Sequence, residues 1–186
     1  MTPEILNYLR SMENLIGKNR NVIEIGSMNV NGSARQAIHH AQWIGVDIKA
    51  GRDVDVVVEE DHLDYLQIVE SMKKPADTFV ICECLEHVKY PIDVVSSAKY
   101  ALWNARQVAE DRGINEYSLR NQLLIITSPS YGFRYHAYPK DYWRFTKDTM
   151  EDVFFDGMEI LDLRYLNSNE GPNTTVAGIA RFPNTQ

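Results

Sequence analysis

Cysteine is scarce. Cys82 and Cys84 are the only two in 186 residues, with a single residue between them. Neighbours that close rarely bridge, so a disulfide scaffold is excluded and a reducing cytoplasm is the expected compartment. Long apolar runs are missing too. No stretch approaches the roughly 20 residues that a membrane helix needs, and membrane insertion is not expected. The opening segment MTPEILNYLRSMENLIGKNR carries acids early and no apolar stretch before a small-residue cleavage site, so it does not read as a signal peptide. Positive charge is in deficit. The formal net charge of −7 disfavours broad nucleic-acid binding, which draws on a positive field. There is no internal repeat, low-complexity tract or Pro/Gly-rich linker. What remains is an ordinary globular balance, 44% hydrophobic and 24% charged, in a length that fits one domain over residues 1–186. That length buries a core without staples and leaves oligomerisation open.

The chain alternates helix and strand signals. Thr2 as N-cap and Pro3 at the first helical position open an N-terminal helix, followed by Ile5, Leu9, Met12 and Ile16 at helical spacing and Gly17 as a stop. The segment NVIEIG predicts a buried strand over 21–26. A short helix is expected in SARQAIHHA, with His39 and His40 on its surface. Strands follow over 42–48 and 53–59, then an amphipathic helix in HLDYLQIVESM with Leu63, Leu66, Ile68 and Val69 clustered. Strand 77–83, a long Pro-led helix over about 91–112, strand 123–128 and a helix from the cap Thr146 to about Phe155 complete the alternation. MEILDLRYLN and TTVAGIARF close the chain as two strands around the turn signal SNEGPN. This predicts a Rossmann-like doubly wound α/β sheet, mostly parallel, with helices on both faces and one antiparallel strand from the C-terminal hairpin. The five residues KAGRD are short for a parallel crossover, so the third strand is a short edge strand or its bounds are displaced.

In such a sheet ligands bind beyond the carboxyl ends of the strands. The first strand ends in Glu24, Ile25, Gly26 and Ser27, and Gly26 lets backbone approach a ligand closely. The second ends in Asp47, an acceptor suited to two ribose hydroxyls. The third ends in Glu59, Glu60 and Asp61, and the fourth in Glu83, Cys84, Leu85, Glu86 and His87. Acids converge where a nucleoside could lie. The G-x-G-x-x-G turn that cradles a pyrophosphate is absent, which disfavours a nicotinamide-dependent oxidoreductase. A glutamate two residues before a lone strand-end glycine suits a nucleoside bearing a cationic amine.

The series VIEIGS, WIGVDI, DVDVVVEEDHL, FVICECLEHV and LLIITSPS resembles the ordered motifs of class I S-adenosylmethionine-dependent methyltransferases. It is most similar to the small methyltransferase domain 11/23 type, over about residues 20–156. CLEHV before a proline-led helix and the stretch HAYPKDYWRFT are similar to the same group. The resemblance implies methyl transfer from S-adenosylmethionine to a small-molecule acceptor. It places Glu24, Gly26 and Ser27 in the first motif, around the methionine end of the cofactor. It puts Asp47 on the ribose and Ile48 on the adenine, with Glu59 or a neighbour and Leu63 beside the base. Glu83 and Cys84 would floor the site beneath the sulfonium. The family's glycine-rich loop is reduced here to Gly26 and Gly32.

If the acceptor must lose a proton, His87 and His136 are the candidate catalytic bases, with Asp141 orienting a histidine or taking the proton itself. The loop 128–147 is net basic within an acidic chain and rich in rings. It is expected to form an acceptor pocket or lid, with Tyr131, Arg134, Tyr138, Tyr142, Trp143 and Arg144 as substrate contacts for an anionic or aromatic molecule. Arg144 could instead pair with Asp141 or Glu86. Cys82, Cys84 and His87 invite a metal reading, but the two cysteines alternate faces along a strand and a second ligand pair is missing, so no metal is expected. A non-catalytic module of methyltransferase type is the main alternative function.

Overall fold

The computed structural model describes residues 1–59, 64–114, 121–137, 140–167 and 174–183. A seven-stranded sheet forms its frame, in the order β3-β2-β1-β4-β5-β7-β6. β1 (Arg20–Ile25), β2 (His40–Asp47), β3 (Val56–Val57), β4 (Thr78–Cys82) and β5 (Leu123–Pro129) run parallel. β7 (Thr174–Arg181) lies between β5 and β6 (Glu159–Asn167) and is antiparallel to both, the single reversed strand that the closing hairpin predicts. The chain enters at β1, travels outward to β3, and returns to β4 on the other side of β1. The carboxyl ends of β1 and β4 therefore flank the switch point, where two loops part and leave a crevice.

Alternation along the central strands feeds two cores. Phe79 and Ile81 of β4, with Ile23 of β1 and Leu124 of β5, face one; Val80, Cys82, Val22 and Ile125 face the other. The first core is covered by α3 (Tyr65–Ser71), α4 (Pro91–Asp111) and the π-helical turn Met150–Phe154, which continues the short α5 (Lys147–Thr149). α4 starts on Pro91 and buries Val94, Val95, Ala98, Ala101, Leu102, Ala105 and Ala109, one helical stripe whose alanines let the axis lie close to the sheet. The second core is covered by α1 (Pro3–Ser11) and α2 (Glu13–Ile16), which bury Ile5, Tyr8, Leu9 and Ile16.

Several boundaries differ from expectation, each for a visible reason. The N-terminal helix breaks at Met12 into α1 and α2; Thr2 stands at the N-cap without a side-chain cap bond, and Gly17 ends α2 at φ 84°. The helix expected in SARQAIHHA is a single 3₁₀ turn, Ala34–Gln36, capped by Ser33 Oγ, which accepts from the Arg35 amide at 3.2 Å. By His40 the chain is already extended and paired with Arg20, so strand pairing overrides helical propensity there. His40 thus begins β2, and Nδ1 of His39 accepts from the Asn19 amide at 3.2 Å. The third strand is a two-residue edge strand, which removes the conflict over crossover length. Its approach is pinned to β2 by Asp55, whose carboxylate accepts from the Gly45 amide at 2.7 Å. α3 starts later than expected, with Asp64 as its side-chain cap, and Thr146 caps α5 through the Thr149 amide. The turn SNEGPN lies outside the described residues. Among the described residues no helix is long and apolar enough to cross a membrane.

Candidate functional site

A cavity of about 1220 Å³ opens over the carboxyl ends of β1, β2 and β4. The start of α1, from Met1 to Glu4, forms one side, and Phe133, Arg134, His136, Lys140 and Tyr142 of the loop after β5 form the other. The structure brings to this cavity every described residue expected to hold a cofactor: Glu24, Gly26, Ser27, Asp47, Ile48, Glu59, Glu83 and Cys84. Leu63 lies outside the described residues, as do Glu60 and Asp61.

The first-strand turn is shaped by packing as well as by access. Gly26 sits at φ 77°, and a Cβ there would meet Cys84 Sγ at 2.5 Å, so only glycine lets the ends of β1 and β4 close together. Glu24 is buried, accepts from Trp43 Nε1 at 3.1 Å, and is pushed up to about 7 by burial. Ser27 is buried with its Oγ unpartnered. Asp47 holds the loop between β1 and β2 by accepting from the Met28 amide at 3.0 Å, and from the Lys49 amide at 3.3 Å. Each oxygen retains a lone pair for a further donor.

The end of β4 is strained. Glu83 has φ 50°, a conformation that costs a non-glycine residue about 1–3 kcal/mol and persists where the surroundings impose it. Burial, and then the charge of Glu86, raise its carboxyl well above the usual range. A 3₁₀ turn, Leu85–His87, then places Glu86 with no exposure at all. Glu86 Oε2 accepts from Ser128 Oγ at 2.8 Å, while Oε1 has no hydrogen-bond partner. Two imidazoles face that oxygen, His87 Nε2 at 3.6 Å and His136 Nε2 at 3.5 Å. His87 Nδ1 is hydrogen-bonded to the Lys140 carbonyl. His136 Nδ1 stands 3.4 Å from Asp141 Oδ2, and the Glu86 carboxylate raises this imidazole above its ordinary value. Glu86 stands among the strand-end residues named from the sequence but has no site role there. The signal was its spacing, Glu83-x-x-Glu86-His87, which repeats an acid across the strand end and places an imidazole beside it.

The loop after β5 has two classes of residue. Arg134 and Tyr142 line the cavity; Asp141, Tyr131, Trp143 and Arg144 do not. Of the two roles open to Arg144 from the sequence, the geometry shows the pairing with Asp141. Its guanidinium donates to both Asp141 oxygens and to the carbonyls of Phe133, Arg134 and Trp143, which uses up its planar fork. This pairing holds the Asp141 carboxylate far below the usual range, and Asp141 also accepts from the His136 amide at 2.7 Å. Trp143 donates to the Val88 carbonyl and stacks on Phe145, and Tyr131 packs edge-on against Tyr165, so both rings seat the loop on the domain. Tyr138 lies outside the described residues. Instead of the cysteine set weighed from sequence, the structure groups His87 with Glu86 and His136.

No family sequence model and no curated protein matches the chain. Solved structures do. A Burkholderia thailandensis 1,6-didemethyltoxoflavin-N1-methyltransferase with bound S-adenosylhomocysteine aligns at TM-score 0.61 and 12% identity, over 95% of this chain and 77% of that one. The N-methyltransferase NodS of Bradyrhizobium japonicum, in complex with S-adenosylhomocysteine, aligns at 0.56 and 12%, over 97% and 86%. This chain has the class I methyltransferase fold. The same fold is found in the [4+2]-cyclase SpnF, at TM-score 0.54 and 13% identity over 98% of this chain and 82% of that one. The methyltransferase fold therefore does not choose the reaction, and the cavity residues must carry that argument.

Proposed function

We propose that this chain is an S-adenosylmethionine-dependent methyltransferase acting on a small molecule. The observation that carries the reading is Asp47, a carboxylate at the end of β2 on the wall of a cavity lined by Glu24 and Glu83 at the two strand ends beside it. The cavity offers no pyrophosphate-binding turn, which argues against a dinucleotide. It fits an adenosyl group with an amino-acid tail. Asp47 would accept from the two ribose hydroxyls, Ile48 and Glu59 would border the base, and Glu24 with the backbone at Gly26 and Ser27 would face the cationic amine. Glu83 and Cys84 would lie under the sulfur. The structural neighbours crystallised with S-adenosylhomocysteine support this choice of cofactor.

When bound, S-adenosylmethionine supplies a methyl carbon on a positively charged sulfur, so displacement needs alignment of a nucleophile more than activation of the leaving group. The protein's share of the work is position, exclusion of water and proton handling. The loop over 128–147 acts as the acceptor wall. Arg134 and Lys140 give that wall positive charge, and Phe133 and Tyr142 give it rings, which suits an anionic or aromatic acceptor. Any proton the acceptor loses leaves toward His87 and His136, with Asp141 and the Arg144 clamp fixing the position of His136. The two thiols are both free, which fits a cytoplasmic setting.

Calorimetry on the purified chain tests the reading. S-adenosylmethionine and S-adenosylhomocysteine should both bind, and a nicotinamide dinucleotide should not. Preference for the dinucleotide, or no binding of either sulfur compound by folded protein, would reject it.

A further inference from the structure

We infer that Glu86, His87 and His136 form a divalent transition-metal site at the acceptor end of the cavity. Their ligand atoms all lie within 4.8 Å of one another. Glu86 Oε1 is the decisive atom. It belongs to a fully buried side chain, has no hydrogen-bond partner, and is aimed between two imidazole nitrogens. At 3.5 and 3.6 Å those nitrogens are too far to be good hydrogen-bond donors to it. A buried carboxylate oxygen without a donor is costly, and a cation is the partner that removes the cost. The spacing suits one. With metal–ligand bonds of about 2.1 Å, oxygen–nitrogen separations of this size subtend roughly 115°, near the tetrahedral angle.

Two of the three ligands carry the outer hydrogen bonds that metal sites use to orient their donors, and the third is fixed through its backbone. His87 Nδ1 is occupied by the Lys140 carbonyl, which leaves the Nε2 lone pair pointing at Glu86. His136 is held through its backbone amide, which donates to Asp141 Oδ2 at 2.7 Å, and its Nδ1 lies 3.4 Å from the same oxygen without a hydrogen bond. The second oxygen of Glu86 is tied to Ser128. Two imidazoles and one carboxylate favour zinc, iron, cobalt or manganese over magnesium. Three protein ligands leave coordination positions open, and His87 and His136 both line the cavity. An acceptor oxygen or nitrogen reaching the cation would be oriented by it, and its proton would be easier to lose. The histidines would then act through the metal. The site stands on its own geometry and would survive failure of the methyl-transfer reading.

Cobalt(II) is the probe, added to the full metal-free chain and followed by visible absorption and proton NMR. The expected result is one equivalent bound, with the d–d bands of a low-coordinate nitrogen–oxygen site and paramagnetically shifted ring protons from two histidines. Calorimetry with zinc should give the same stoichiometry. His87→Ala and His136→Ala should each weaken binding by at least about 100-fold, and Ser128→Ala by about 10-fold, as outer contacts do. Both histidines are part-exposed, so folding of these variants is readily confirmed by circular dichroism. Absence of the bands and shifts in the unmutated protein would overturn the proposal, as would cobalt affinity unchanged in His136→Ala.

Discussion

The two edges of the sheet treat buried charge in opposite ways. At the amino edge, Arg20 is buried against Asp77 at 2.9 Å and also donates to Thr78 Oγ1 and to the carbonyls of Asp77 and Asn121. One atom there, Asn21 Oδ1, is buried without a partner, whereas at the carboxyl edge four are, Ser27 Oγ, Glu86 Oε1, Ser130 Oγ and His136 Nδ1, and Glu24 and Glu83 are both held toward the protonated form by burial. A buried ion pair with added hydrogen bonds locks strands together. A cluster of unsatisfied polar atoms, in and beside a cavity with a strained residue at its floor, marks where the fold keeps binding capacity in reserve. The lesson is that burial of charge alone does not identify a site; the state of its hydrogen bonds does.

The sharpest way to break this contrast is at Arg20. Arg20→Ala leaves Asp77 buried and unpaired and should cost about 3–5 kcal/mol in denaturant unfolding, with affinity for S-adenosylhomocysteine unchanged under conditions where the variant is folded. Asp47→Ala should do the reverse. Losing an acceptor for two hydroxyls should weaken S-adenosylhomocysteine about 100-fold by calorimetry, at a stability cost near 1 kcal/mol from the freed Met28 amide.

Glu24 gives a test that depends on pH. Its carboxyl titrates near 7 when folded, against 4.5 as the ordinary value. The native state therefore holds a proton that the unfolded chain releases, so this group makes stability fall as pH rises from about 4.5 to 7, with no further loss above. Glu24→Gln keeps an acceptor for Trp43 and should remove that slope, gaining on the order of 2 kcal/mol at pH 8 relative to the unmutated chain. A variant with the same slope would show that Glu24 is not the source. The smallest effect is expected at Arg144. Arg144→Lys loses the planar fork and should loosen the loop after β5, costing about 1–2 kcal/mol and raising KM for the acceptor more than it lowers kcat.

Much of this contrast could be read before the fold was seen. The succession of strand ends placed Glu24, Asp47 and Glu83 at the cavity because a residue's position at a strand end depends only on its place along the chain. The reversed β7 followed from two strands with no helix between them. The residues after β5 were harder. Arg134 and Arg144 are chemically alike in sequence, and only the folded loop shows Arg144 enclosed by carbonyls and Asp141. The helix expected over 33–41 failed because pairing of His40 with Arg20 extends the chain at a point where local propensity favours a helix. Glu86 is visible at a strand end, but nothing in the sequence says that its Oε1 is left without a donor. That property exists only after Ser128, His87 and His136 have come together from three segments.

The most direct test is a crystal structure of the complex with S-adenosylhomocysteine. The account predicts the ribose hydroxyls within hydrogen-bonding distance of the Asp47 carboxylate and the sulfur above Glu83 and Cys84, directed toward the histidine end. A nucleoside bound elsewhere, or at this rim with Asp47 making no contact to its sugar, would contradict it.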